Sequence, residues 1–275
     1  MPVGLVGTML LRWSVEMYAI LYDALEDVEP AKFGADGLPA LRRASAEVLS
    51  GISRVTQLRH ARYCCVSSAM GEIVGRKLSI YADGNRRAVL TASADPHKAV
   101  AKEFGRRLHE AGARSLNPIM FPHTLPSATA VTLGAQFAAH TCSIAFDGGS
   151  ALQSAMSVAS LLLRAGQADT ILVFACSGDV AFGVSNPDVE LFGIGVLLSR
   201  RPFPDRCLLV RQANQHSSKI EEASESVNRF HEARILTKLA IASGDPNCAI
   251  GEVTLAGYIF QEHADPSKGE IDRSA

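Results

Sequence analysis

Residues 141–166, TCSIAFDGGSALQSAMSVASLLLRAG, run from an apolar, β-prone stretch through a Gly-Gly turn straight into an amphipathic helix. That order points to a layered α/β domain. In such a domain an elbow of this kind aims its first side chain into a pocket beside the positive N-terminus of the helix, the layout by which enzymes present a nucleophile. Gly149 places no side chain there. A chain that keeps the elbow and drops the reactive atom is expected to assist an enzyme.

Hydrophobic patterning elsewhere agrees with an α/β class. Short β-rich runs at 3–10, 63–67, 141–146, 170–176, 193–199, 207–212 and 253–260 alternate with longer helical patterns. Val15, Ala19, Tyr22 and Leu25 predict a helix over 14–25. Asp95-Pro96 supplies a cap and a first-turn proline for a second helix, which carries Val100, Phe104 and Leu108 and stops at Gly112. Ser218 with Glu221 reads as a capping box for a third, ended by Gly244-Asp245-Pro246. The stretch 71–93 has scattered Gly, Asn and Arg and reads as irregular, and the tail beyond 262 reads as frayed.

At 275 residues, 47% apolar and 20% charged, the chain has enough hydrophobic material for a sizeable core. A net charge of −1 and only short basic pairs argue against nucleic-acid binding. Six cysteines without CxxC pairs fit a reducing, cytoplasmic setting. The apolar start MPVGLVGTMLL is broken at Arg12, well short of the roughly 20 residues that cross a bilayer, so no membrane insertion is expected. No metal-ligand spacing, phosphate loop or dinucleotide fingerprint is present.

Several segments together resemble the β-ketoacyl synthases of the thiolase fold, over about residues 63–212: NPIMFPHTLPSATAVTLGAQ, the elbow and its helix, QADTILVFACS and LFGIGVLLS. In that frame Leu163-Arg164-Ala165-Gly166 and Ala168-Asp169 align without a gap, and Gly149 falls on the nucleophilic cysteine. Condensation needs a thiolate to take the acyl chain and two histidines to help decarboxylate the extender. Here His216 and His231 sit in QHSSK and RFHEA, which match neither histidine motif of the family. The chain is also shorter than a complete ketosynthase. The resemblance therefore implies a thiolase-like layered fold with a truncated second half: a ketosynthase-like half-domain over 1–212, a remnant helix and strand over 213–262, and a tail over 263–275.

What it implies about function is a chain-length-factor-like subunit, similar to those of aryl-polyene and type II polyketide systems. Such a subunit has no condensing activity of its own, pairs with an active ketosynthase as a heterodimer, and shapes the tunnel in which the acyl chain grows. That chain rides on the phosphopantetheine of an acyl carrier protein, and no cofactor of the subunit's own is implied. Met120 and Phe121, followed by His123 and Thr124, fall where ketosynthases reach toward the neighbour's acyl pocket; Ile144, Ala145 and Phe146 fall on the interface strand. Met120 and Phe121 also suit an ordinary core, and His123 a hydrogen-bonded scaffold role.

Two other readings remain open at this stage. Gly148-Gly149-Ser150-Ala151-Leu152 is a degenerate serine elbow, and Asp179 or Asp188 with His216 or His231 follow in the order of an esterase triad; Leu152 stands where the motif has glycine. Alternatively, the chain binds an acyl group or acyl carrier by itself. A large apolar surface that needs a partner to cover it would separate the subunit reading from this last one.

Overall fold

The computed structural model describes residues 16–59, 61–93, 97–177, 180, 186–204, 207–213, 225–244 and 251–263. In chain order the elements are β1 (Met17–Asp23), β2 (Arg42–Ala44), α1 (Ala46–Val55), α2 (Val66–Leu78), β3 (Arg87–Ser93), α3 (Lys98–Ala111), α4 (Ala128–Gln136), β4 (Cys142–Asp147), α5 (Ala151–Arg164), β5 (Thr170–Ser177), β6 (Asn186–Ser199), β7 (Leu208–Gln212), α6 (Glu225–Gly244), β8 (Val253–Leu255) and β9 (Tyr258–Glu262). A 3-10 segment, Pro118–Thr124, lies between α3 and α4.

The described strands form one mixed sheet of nine, in the order β4-β3-β5-β6-β1-β7-β9-β8, with β2 pairing off this path onto β6. β3 is parallel to both β4 and β5, while β6 runs antiparallel to β5 and to β1. Helices cover both faces. α5 and α6 share one apolar cluster with the sheet; α1, α2 and α4 contribute to the other. This three-layer arrangement explains why β5 reads as an unbroken apolar run: a strand buried on both faces has no solvent side to alternate with.

The helix that crosses β6 determines one sequence detail. A Cβ on Gly195 would lie 2.2 Å from Val74 Cγ1 and 2.8 Å from Leu78 Cδ1, so the glycine in LFGIGVLLS permits α2 to approach the strand. The buried Asp23–Arg42 pair, 2.5 Å apart, ties β1 to β2, and Arg42 Nε also donates to the Glu29 carbonyl.

The strands expected at 141–146, 170–176, 193–199 and 207–212 are present, and the helix ending at Gly112 and the one ending at Gly244 are present. Four local expectations are corrected. The 14–25 helix is in fact β1, because Met17–Asp23 is paired on both sides by β6 and β7, and burial on both faces mimics helical spacing over so short a run. Residues 63–67 are not a strand; they lead into α2, capped at Cys65. The supposedly irregular 71–93 stretch holds most of α2 and all of β3, its polar residues Arg86 and Arg87 marking only the loop and the strand's first position. The strand at 253–260 is a hairpin, turned at Ala256 (φ 51°) and Gly257 (φ 78°). The expected strand at 3–10, the Asp95-Pro96 cap, the Ser218–Glu221 capping box and the tail beyond 263 lie outside the described residues.

α6 and the β8–β9 hairpin are built into the same sheet and core as the rest. β9 pairs with β7, and Leu236, Leu239, Tyr258 and Phe260 join the cluster that contains β1 and α5.

Candidate functional site

The elbow forms as the sequence requires. β4 ends at Asp147, the Gly148 N–H bonds to the Ser93 carbonyl at the end of β3, and α5 begins at Ala151. The two glycines are not equivalent. Gly148 has φ +96°, which a side chain resists, whereas Gly149 is not among the residues with positive φ. The turn geometry therefore accounts for the first glycine and leaves the second without a backbone reason.

A cavity of about 150 Å³ opens beside Gly149. Its walls come from the ends of β3, β5 and β6, from the head of α5, and from α6, which contributes Glu232, Ala233 and Leu236. Among the described residues no activated thiol replaces the missing side chain. Cys176 lines the cavity, but burial pushes its thiol well above the ordinary value, and the neighbouring Cys65 and Asp147 act in the same direction. Burial likewise raises the Cys142 thiol, and that of Cys64 to about 12. A nucleophilic cysteine needs the opposite shift. Burial also raises the carboxyl of Glu232, favouring its neutral form in this apolar setting.

Ser150 is exposed and makes no capping hydrogen bond through its side chain. Of its suggested triad partners, Asp179 and His216 lie outside the described residues, as does the side chain of His231; Asp188 sits on β6, where its carbonyl accepts from Arg43. Among the described residues no cluster of three or more His, Cys, Asp or Glu could hold a metal, and no helix is long and apolar enough to cross a membrane.

Met120, Phe121, His123 and Thr124 come together on the single 3-10 segment and divide by its threefold period. Met120 faces inward at 3% exposure, against Cys65 and Val100, with Arg107 Nη1 3.7 Å from its sulfur. His123 also faces inward, its Nε2 3.3 Å from Cys64 Sγ. Phe121 faces outward at 57% exposure, its ring centroid 6.1 Å from that of Phe104, and Thr124 Oγ1 donates to the Phe121 carbonyl at 2.7 Å. Only Phe121 of the two bulky candidates is therefore presented to the exterior.

Among the described strands β4 lies at the edge, bonded to β3, and Ile144 is 37% exposed on it, with Ala145 and Phe146 half-buried. Elements that touch it carry further exposed apolar side chains: α4 packs on β4 and exposes Val131 (62%), and α4 also meets the 3-10 segment, which exposes Ile119 and Phe121. Leu125 and, on α3, Leu108 are exposed nearby in the chain. Sequence reading missed Ile119, Leu125 and Val131. The available signal was α4 itself, ATAVTLGAQ, which is apolar around most of its circumference without a polar side to turn outward.

No family model and no curated protein sequence matches the chain. Solved structures do. The ishigamide ketosynthase/chain length factor superposes with a TM-score of 0.53 at 12% identity, over 90% of this chain and 97% of that one. The fold is that of a ketosynthase-type subunit. The ketosynthase ApeO in complex with its chain length factor ApeC from Xenorhabdus doucetiae also matches, with a TM-score of 0.46 at 16% identity over 75% of this chain and 81% of that one. The thiolase-like architecture expected from the elbow and its flanking strands is thus present, a mixed sheet between two helical layers.

Proposed function

We propose that this ketosynthase-fold chain is a non-catalytic, chain-length-factor-like subunit that pairs with an active β-ketoacyl synthase and shapes the tunnel in which a polyketide or polyene chain grows on an acyl carrier protein. The observation that carries the reading is the pairing of an intact elbow with an empty head: α5 begins as a nucleophile helix would, Gly149 supplies no acyl acceptor, and every described cysteine with a shifted pKa is shifted away from the thiolate. The exposed apolar face around β4, α4 and the 3-10 segment supports a partner subunit, since an open edge with Ile144 and Val131 beside it is costly to leave in water. The likeness of fold to the ishigamide ketosynthase/chain length factor agrees with the reading. Cys65, Cys142 and Cys176 are free thiols, in keeping with a cytoplasmic setting.

Co-expression with candidate partner ketosynthases is the test. Recovery of a stable heterodimer, with product length shifted by Phe121→Ala and by Phe121→Trp in opposite directions, is the expected result. A thioester found on this chain alone, or labelling of Ser150 by a fluorophosphonate, would overturn it, the second in favour of a serine hydrolase. A monodisperse monomer that binds an acyl carrier without any synthase would favour the stand-alone binding role.

A further inference from the structure

The most isolated piece of chemistry outside the elbow is the contact between Cys64 and His123. Cys64 is 3% exposed and precedes Cys65, the N-cap of α2. Its neighbour is pinned: Cys65 Sγ lies 2.9 Å from Ser68 Oγ and accepts from Ser67 Oγ at 3.1 Å, and both hydroxyls reach Thr129 Oγ1 on α4, at 3.2 and 3.3 Å. α2 is buried along nearly its whole length. Cys64 is thus mounted on a rigid platform, and the group it touches belongs to the segment that presents Phe121.

A cysteine beside a histidine invites reading as a nucleophile and its base. Burial argues against that: it pushes the Cys64 thiol up to about 12, with Cys65 adding to the effect. The thiol consequently stays protonated, and its contact with His123 is a neutral hydrogen bond whose direction follows the imidazole tautomer.

We propose that Cys64 is a positioning residue: through its contact with His123 it latches the 3-10 segment Pro118–Thr124 onto the head of α2 and fixes the direction in which Phe121 enters the partner's acyl tunnel. This rests on the chain-length-factor reading for its consequence, though the latch itself belongs to this chain alone. Because His123 and Met120 share the inward side of a threefold turn, a twist released at His123 rotates Phe121 on the outward side. Cys64 bears on Phe121 through His123, the side chain it meets at 3.3 Å.

The test uses the co-purified heterodimer with wild-type chain, Cys64→Ala and Cys64→Ser. Cys64→Ala is expected to change the ratio of neighbouring product lengths by about threefold to tenfold while total product changes less, and Cys64→Ser, which retains a donor, to restore the wild-type ratio. Unchanged ratios in both variants, with heterodimer intact, would overturn the latch. Hydrogen exchange on the isolated chain supplies a readout independent of any partner: Cys64→Ala or His123→Leu should speed exchange at 118–125 about fivefold with α2 unaffected, and equal exchange in variant and wild type would also overturn it. Should the wild-type heterodimer never form, the functional reading fails while the exchange measurement still decides the latch.

Discussion

At one end of the sheet β4 leaves Ser143, Ile144 and Asp147 in solvent, whereas at the other β8 is three residues long and β9 turns Tyr258 and Phe260 into the core. Both ends face the general hazard of unpaired backbone groups. The β8 end meets it within the chain, by shortness and by a tight two-residue turn. β4, six residues long, has no second neighbour among the described strands and leaves Ile144 exposed between Ser143 and the half-buried Ala145. On the proposed function, this is the end at which a partner would pair.

The comparison breaks most readily at Phe260. Phe260→Ala should lower the unfolding free energy by about 3–5 kcal/mol, because the β9 ring is buried in this chain's own core. Ile144→Asp combined with Val131→Asp should leave the isolated chain's stability nearly unchanged, yet weaken association with the ketosynthase about thirtyfold or more, measured by titration of the purified subunits. Thr254→Lys on β8 is the matched control and should leave association intact. Equal association loss at both ends would refute the distinction.

Smaller effects sharpen it at the turns. Gly148→Ala should cost about 1–2 kcal/mol in denaturant unfolding for its φ of +96°, against well under 1 kcal/mol for Gly149→Ala. Ala256→Asn, which creates the favoured turn pair ahead of Gly257 at a φ of 51°, should stabilise by about 0.5–1 kcal/mol.

The smallest effect depends on pH. Burial raises the Glu232 carboxyl in the folded chain above its usual 4.5, so folding favours the protonated form; that contribution is present below 4.5 and is lost as pH rises through the folded value. Glu232→Gln should accordingly raise the thermal midpoint at pH 7.5 and much less at pH 4. A larger gain at the acidic end would show that Glu232 has a charged partner.

The elbow, the strands that flank it and the long helix ending at Gly244 were legible because their signals are local: an apolar run, a glycine stop, a helical period. β1 was not, since a strand buried on both faces shows no alternation, and only its pairing with β6 and β7 distinguishes it from a short helix. α2 was hidden for a related reason: a helix buried on nearly every side, Glu72 included, carries small and polar residues where its neighbours crowd or bond it. The candidate residues 120–124 were found as a string, but which of them faces outward was not legible.

Sequence alone determined that position 149, at the turn into α5, bears no side chain able to hold an acyl group, because a missing Cβ is a covalent fact. Tertiary structure decided everything that depends on neighbours: that Gly148 has a positive φ and Gly149 does not, that Phe121 points out while Met120 points in, that Cys64 meets His123 across 59 positions, and that β4 lies at the edge of the described sheet. Exposure and contact are set by packing between distant segments, and no local pattern of residues encodes them.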